Sequence, residues 1–184
     1  MDRLTNPKHI LIVGDVQVGK STLIWCLLKH CTLSVAGYYT KASERDANGV
    51  RHFYIHPAGA EDGQQSPDNC IGSADGKTKQ SHPKIFDRLG VQYLDASPGN
   101  VIVMDELGTM EEDAHLFRAK VLACLNGDIP VIAAVKSKAG YAFLEQIKNH
   151  PNADVYRITE QNRDALYEEL LPVILWWNEQ GREI

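Results

Sequence analysis

Gly14-Asp15-Val16-Gln17-Val18-Gly19-Lys20-Ser21 has the spacing G-x-x-x-x-G-K-[ST], and every fixed position in it has a chemical task. Gly14 and Gly19 allow backbone conformations that a Cβ would block. Successive N–H groups along Asp15, Val16, Gln17 and Val18 can then turn inward around an anion. The Lys20 ammonium is placed to hold the β/γ-phosphates of a nucleoside triphosphate, and the Ser21 hydroxyl to ligate Mg²⁺. Thr22 follows at the positive N-terminal end of a helix, which strengthens an anion site. Residues 14–22 are thus the expected nucleotide-binding segment.

A second constellation lies 85 residues beyond Lys20, where Val101-Ile102-Val103-Met104 runs into Asp105-Glu106. Four apolar residues suit a buried strand, and a parallel sheet binds ligands at the carboxyl ends of its strands. This Walker B arrangement gives Asp105 to the Mg²⁺ shell and Glu106 to the orientation or deprotonation of an attacking water. Glu111, Glu112 and Asp113 are nearby competitors for the base, although they also suit the start of the next helix. Asp105-Glu106-Leu107-Gly108 fits D-x-x-G as well, the γ-phosphate sensor of guanine switches, but the N-K-x-D that selects guanine occurs nowhere. Developing charge on the phosphates calls for a further cation. Arg45, Arg51 and Arg163 are the candidates, and Arg163, opening a helix after a strand end, is assigned the role.

These residues need a scaffold that brings two strand ends together. His9–Val13 reads as a buried strand feeding the glycine loop, and Ser21–Leu28 as the helix after it. Strands follow at 33–40 and 50–56, joined by a turn with Asn48-Gly49 as its signal. Further strands are expected at 101–104, 129–135 and 155–158, with helices at 84–94, 112–125, 141–148 and 162–178, the last interrupted or kinked at Pro172. Alternating strands and helices predict an α/β fold, a P-loop three-layer sandwich with a mainly parallel sheet and an added β-hairpin. Counting parallel strands along the chain, the expected order is 5-1-4-3-2, which leaves one strand between Asp105 and the glycine loop. The polar stretch 58–83 reads as a long loop inserted in a single domain over 1–184.

Composition narrows the function classes. The chain has 184 residues, 43% hydrophobic and 23% charged, with a net charge of −5 and no Lys/Arg-rich block. That balance argues against a nucleic-acid surface. No run approaches the ~18 apolar residues of a membrane span, and the first residues lack the apolar core of a signal peptide. Cys26, Cys31, Cys70 and Cys124 form no C-x-x-C pair and read as reduced thiols, which suits a cytoplasmic protein. A zinc site of Cys70 with His52, His56 or His82 matches no familiar spacing.

Beyond the two motifs, Gly37-Tyr38-Tyr39-Thr40, Val101–Met110, Pro130–Val135 and Asn162-Arg163-Asp164-Ala165-Leu166 appear in order between residues 10 and 166. The combination resembles the small P-loop nucleoside-triphosphatases first described from thermophiles, a group that includes the human cancer-related nucleoside-triphosphatase. The resemblance implies Mg²⁺-dependent hydrolysis of ATP, GTP or other nucleoside triphosphates to the diphosphate and phosphate, slow and broad in base preference. Two positions depart from the family: Gln17 stands where it usually has glycine, and Thr109 where it has lysine. Two other functions compete. A small-molecule or nucleotide kinase would use 58–83 as a lid, although that stretch has no arginine. A nucleotide-dependent switch or assembly factor would dock through Trp176-Trp177, a pair that otherwise reads as helix packing. No protein partner is legible in the sequence.

Overall fold

The computed structural model describes residues 7–59, 63–97 and 100–181. The N-terminal residues weighed against a signal peptide fall mostly outside that range, as do residues 60–62 of the polar stretch. The first strand, β1 (His9–Gly14), is buried along its whole length, as a strand covered on both faces must be. Its alternating side chains feed two cores. Ile10 and Ile12 pack with Leu23, Ile24 and Leu27 of α1 (Lys20–Leu28) and with Leu170, Ile174 and Trp177 of α6 (Arg163–Gln180). Leu11 and Val13 belong to the opposite core, with Phe117 and Val121 of α4 (His115–Asn126) and Phe143 and Ile147 of α5 (Ala142–Lys148). That second face is completed by α2 (Pro83–Ile85), a π-turn (Phe86–Gly90) and α3 (Val91–Tyr93), continuous along the chain.

Between these layers lies one eight-stranded sheet. Its other strands are β2 (Ser34–Arg45), β3 (Arg51–Pro57), β4 (Cys70–Ala74), β5 (Lys79–Ser81), β6 (Asn100–Leu107), β7 (Val131–Lys136) and β8 (Ala153–Arg157). The order is β5-β4-β3-β2-β6-β7-β1-β8. Strands β2, β6, β7, β1 and β8 are parallel, so the parallel core has the expected 5-1-4-3-2 order. The Asp105 strand, β6, is separated from β1 by β7 alone.

The antiparallel flank is larger than the expected hairpin. Segment 58–83, read as a loop, contains a helical turn (Pro67–Asn69) and the strands β4 and β5, which extend the sheet from β3. Cys-Ile-Gly-Ser-Ala and Lys-Gln-Ser carry almost no apolar period. Pairing with β3 and burial of Ile71, both long-range effects, override weak local propensity. The C-terminal helix runs unbroken through Pro172. Within it Trp177 is buried and donates its indole N–H to the Pro7 carbonyl at 3.1 Å. No helix among the described residues is long and apolar enough to cross a membrane.

At the opposite edge from the glycine loop, His9 is fully buried, and its Nδ1 accepts the Val131 N–H at 3.2 Å. Burial, with Lys8 adding to it, lowers the His9 pKa to about 4, against an ordinary value of about 6.5. Between those pH values the unfolded chain binds the extra proton, so this residue withdraws stability as pH falls, by about 1.4 kcal/mol per unit of depression. His9→Asn keeps an acceptor near the Nδ1 position but cannot titrate. Thermal melts should show a smaller loss of midpoint between pH 7 and pH 5 in His9→Asn than in the wild type; equal losses would contradict this assignment.

Candidate active site

The glycine loop leaves β1 at Gly14 and enters α1 at Lys20. Gly19 caps the helix at a φ of +101°, a left-handed conformation open to glycine without Cβ strain. Lys20, only 4% exposed, folds its ammonium back over the loop. It donates to the Gly14 carbonyl at 2.9 Å and the Asp15 carbonyl at 2.6 Å, and pairs with Glu106 Oε2 at 3.2 Å. The Ser137 hydroxyl, just past β7, donates to the Asp15 carboxylate and tethers the loop from the neighbouring strand.

Asp105 and Glu106 reach this loop from β6. Successive strand residues ordinarily face opposite sides of a sheet, but the pairing of β6 with β7 shifts register between Asp105 and Leu107. Such a bulge re-aims side chains, and here both carboxylates converge on the start of α1. Asp105 Oδ1 accepts the Ser21 hydroxyl at 2.8 Å, and Oδ2 accepts the Trp25 indole N–H at 3.3 Å. Ser21 and Trp25 are four apart on α1 and therefore share a face. Burial raises the Asp105 pKa to about 6; the Ser21 and Trp25 hydrogen bonds oppose the rise, and the charge of Glu106 adds to it. Two hard oxygen donors, a hydroxyl and a carboxylate, thus meet beside the phosphate loop, a donor set that fits Mg²⁺ with its remaining positions left to water and phosphate.

Glu106 lies between two lysines. Lys20 holds Oε2, and Lys136, the last residue of β7, holds Oε1 at 3.0 Å. The loop after β6 is firmly held. Buried Glu111 accepts the Gly108 N–H on both carboxylate oxygens at 3.2 Å, and its pKa rises to about 7 through burial. Lys79 of β5 donates to Thr109 O at 2.6 Å and Thr109 Oγ1 at 2.7 Å, and the Ser81 hydroxyl donates to Met110 O. The segment expected to be a loop therefore pins the segment that follows β6.

The structure thus brings Lys20, Ser21, Asp105 and Glu106 together. It puts Arg163 elsewhere on the same loop: its side chain lies against Gly19, and its Nε donates to Glu160 O at 3.4 Å. There it lines a cavity of about 460 Å³ between α1 and α6, with Gly19, Thr22, Cys26 and Tyr167. Arg45 and Arg51 pair with each other across the β2–β3 hairpin. Arg45 is six residues along β2 from Tyr39, the register partner of Asp105, which is about 20 Å of strand. Sequence reasoning missed Trp25, Lys79 and Lys136. Helical spacing from Ser21 could have found the first, and a position at the carboxyl end of a parallel strand the last.

Gln17 occupies a left-handed conformation, with φ at 64°. That conformation costs a residue with a Cβ about 1–2 kcal/mol. Glycine relieves the strain but loses about 0.5–1 kcal/mol through a freer unfolded chain. Gln17→Gly should therefore raise the melting midpoint by ~1–3 °C for a chain of this size. A lower midpoint in the variant would contradict strain at this position.

Comparison with known proteins identifies the family and the fold. The model of a family described as NTPase matches residues 9–171. The nucleoside-triphosphatase THEP1 of Thermotoga petrophila is 31% identical over 170 residues, covering 90% of this chain and 92% of that protein. The human cancer-related nucleoside-triphosphatase is 27% identical, covering 91% and 96%. The crystal structure of THEP1 from Aquifex aeolicus superposes with a TM-score of 0.72 at 22% identity, over 90% of this chain and 98% of that one, and so shares its fold. With the phosphate loop, the Asp105-Glu106 edge and the strand order all in place, the chain belongs to the NTPase family.

Proposed function

We propose that this protein hydrolyses nucleoside triphosphates to the diphosphate and inorganic phosphate. The observation that carries the reading is the position of Glu106, one hydrogen-bond length from the phosphate-loop lysine and adjacent to the Ser21–Asp105 pair. Backbone N–H groups of residues 14–19 and the start of α1 receive the phosphate chain. Lys20 exchanges the Gly14 and Asp15 carbonyls for β/γ-phosphate oxygens. Ser21 and Asp105 would hold Mg²⁺, which would neutralise negative charge on the phosphates. Glu106 orients a water and takes its proton while the water oxygen bonds to the γ-phosphorus. The bond from that phosphorus to the bridging oxygen breaks, and its electron pair stays on the diphosphate.

Arg163 is read as a cation on the phosphate chain from the Gly19 side. The cavity beside it suits the nucleoside, because a guanidinium and the Tyr167 ring stack on any base. Absence of N-K-x-D from the sequence supports broad base preference. Water as acceptor is favoured over a kinase reaction because 58–83 contributes strands pinned to the 107–111 loop rather than an arginine-bearing lid. Four free cysteines and the acidic balance favour a cytoplasmic protein that binds no nucleic acid.

Purified protein with ATP, GTP and CTP should release phosphate only when Mg²⁺ is present, at rates within about tenfold of one another. Glu106→Gln should bind nucleotide within a few-fold of wild type yet turn over at least ~100-fold more slowly. Undiminished turnover in that variant would remove Glu106 from the reaction, and acceptor-dependent transfer without phosphate release would favour a kinase.

A further inference from the structure

The hydrolase reading leaves a charge problem at Glu106. In the structure two ammonium groups flank its carboxylate. Once Lys20 turns to the phosphates, Glu106 retains one of them, while three γ-phosphoryl oxygens arrive nearby with negative charge. Some cation must stand between carboxylate and phosphate, or their repulsion raises the barrier. None of the three candidate arginines is placed to do so: Arg163 lies on the Gly19 flank, and Arg45 and Arg51 lie along the hairpin.

Lys136 meets the requirement on four observations. It closes β7, the strand directly between β1 and β6, in register with Gly14 at the start of the phosphate loop. Its stem runs over Gly108, where an added Cβ would fall 3.1–3.4 Å from its Cδ, Nζ and Cε atoms. Among the described residues its Nζ uses one contact, on Glu106 Oε1 at 3.0 Å, and an ammonium has three protons to give. The side chain is 29% exposed and lines, with Glu106, Gly108 and Thr109, a small cavity at the end of β6. An ordinary surface ion pair would need neither the register with Gly14 nor the close passage over Gly108.

We propose that Lys136 is a catalytic residue: it donates to a γ-phosphoryl oxygen while keeping its bond to Glu106, and so supplies within the chain the cation that other phosphoryl-transfer sites take from an arginine. Lys20 at the start of α1 and Lys136 at the end of β7 then embrace the transferring group, with Glu106 fixed between Lys136 and the attacking water. Lys136 makes and breaks no covalent bond and releases no proton; it stabilises charge that grows as the bridging bond breaks. The inference rests on the hydrolase reading.

The test uses the full chain with Mg²⁺ and compares wild type with Lys136→Met, Lys136→Gln and Lys136→Arg. Phosphate release gives kcat and KM. Calorimetry gives the affinities for ADP alone and for ADP with aluminium fluoride, a mimic of the transferring phosphoryl group. Lys136→Met should lower kcat by ~100-fold or more, as loss of one such donor does, with ADP affinity changed less than threefold. Aluminium fluoride should tighten ADP binding in wild type and not in Lys136→Met, and Lys136→Arg should keep at least a tenth of kcat. Lys136→Gln takes the same measurements should the methionine variant fail to fold. A kcat within threefold of wild type, or aluminium fluoride tightening that survives in both neutral variants, would overturn the proposal. Phosphate release by wild type tests the hydrolase reading separately, since the proposal turns on the ratio between variants.

Discussion

One ammonium group holds the site together. Lys20 is nearly sealed from solvent and satisfies its charge on two loop carbonyls and on Glu106. A buried lysine is costly unless paired and hydrogen-bonded, so these three partners constrain one another. The glycine loop must curl far enough for Gly14 O and Asp15 O to face inward. Strand β6 must end at the right height across β7 to deliver Glu106. A sheet with a different strand order would part the two motifs, and the ion would be stranded.

The same electrostatic economy runs through the neighbouring residues. Asp105 and Glu111 are carboxyl groups raised toward neutrality by burial, to about 6 and about 7, and each is held by hydrogen-bond donors, the Ser21 hydroxyl and Trp25 indole for one and the Gly108 N–H for the other. Glu106, more exposed, faces two lysines. The acidic residues at the end of β6 therefore differ in environment: Asp105 meets a hydroxyl and an indole N–H, Glu106 two ammonium groups, and Glu111 a backbone N–H. Such separation of closely spaced carboxyl groups by their surroundings is how a site assigns different tasks to like chemistry.

Much of this was legible in the chain because it is encoded locally. Gly-rich spacing, an apolar run before Asp105-Glu106 and alternating strand and helix patterns identify the glycine loop, the carboxylate that meets Ser21 and the parallel core. The order of the parallel strands followed from the same motifs. What escaped is long-range. Strands β4 and β5 are short and polar, and they exist through pairing with β3 and anchorage to the 107–111 loop. Lys136 looks like any strand-terminal lysine until its stem is seen to pass over Gly108 and its ammonium to meet Glu106. Arg163 was identifiable as a helix-opening arginine, but its place on the Gly19 flank depends on how α6 packs against α1. Gln17 shows the reverse: a departure visible in the sequence whose physical content, a left-handed backbone carrying a full side chain, needed the structure.

The most direct measurement of the account is a crystal structure with Mg²⁺ and a non-hydrolysable ATP analogue. The account predicts Lys20 Nζ within about 3 Å of a β- or γ-phosphate oxygen and released from the Gly14 and Asp15 carbonyls. It also predicts the metal between Ser21 and Asp105, and a water between Glu106 and the γ-phosphorus. A bound analogue that left Lys20 on those carbonyls, with its terminal phosphate turned away from the end of β6, would contradict it.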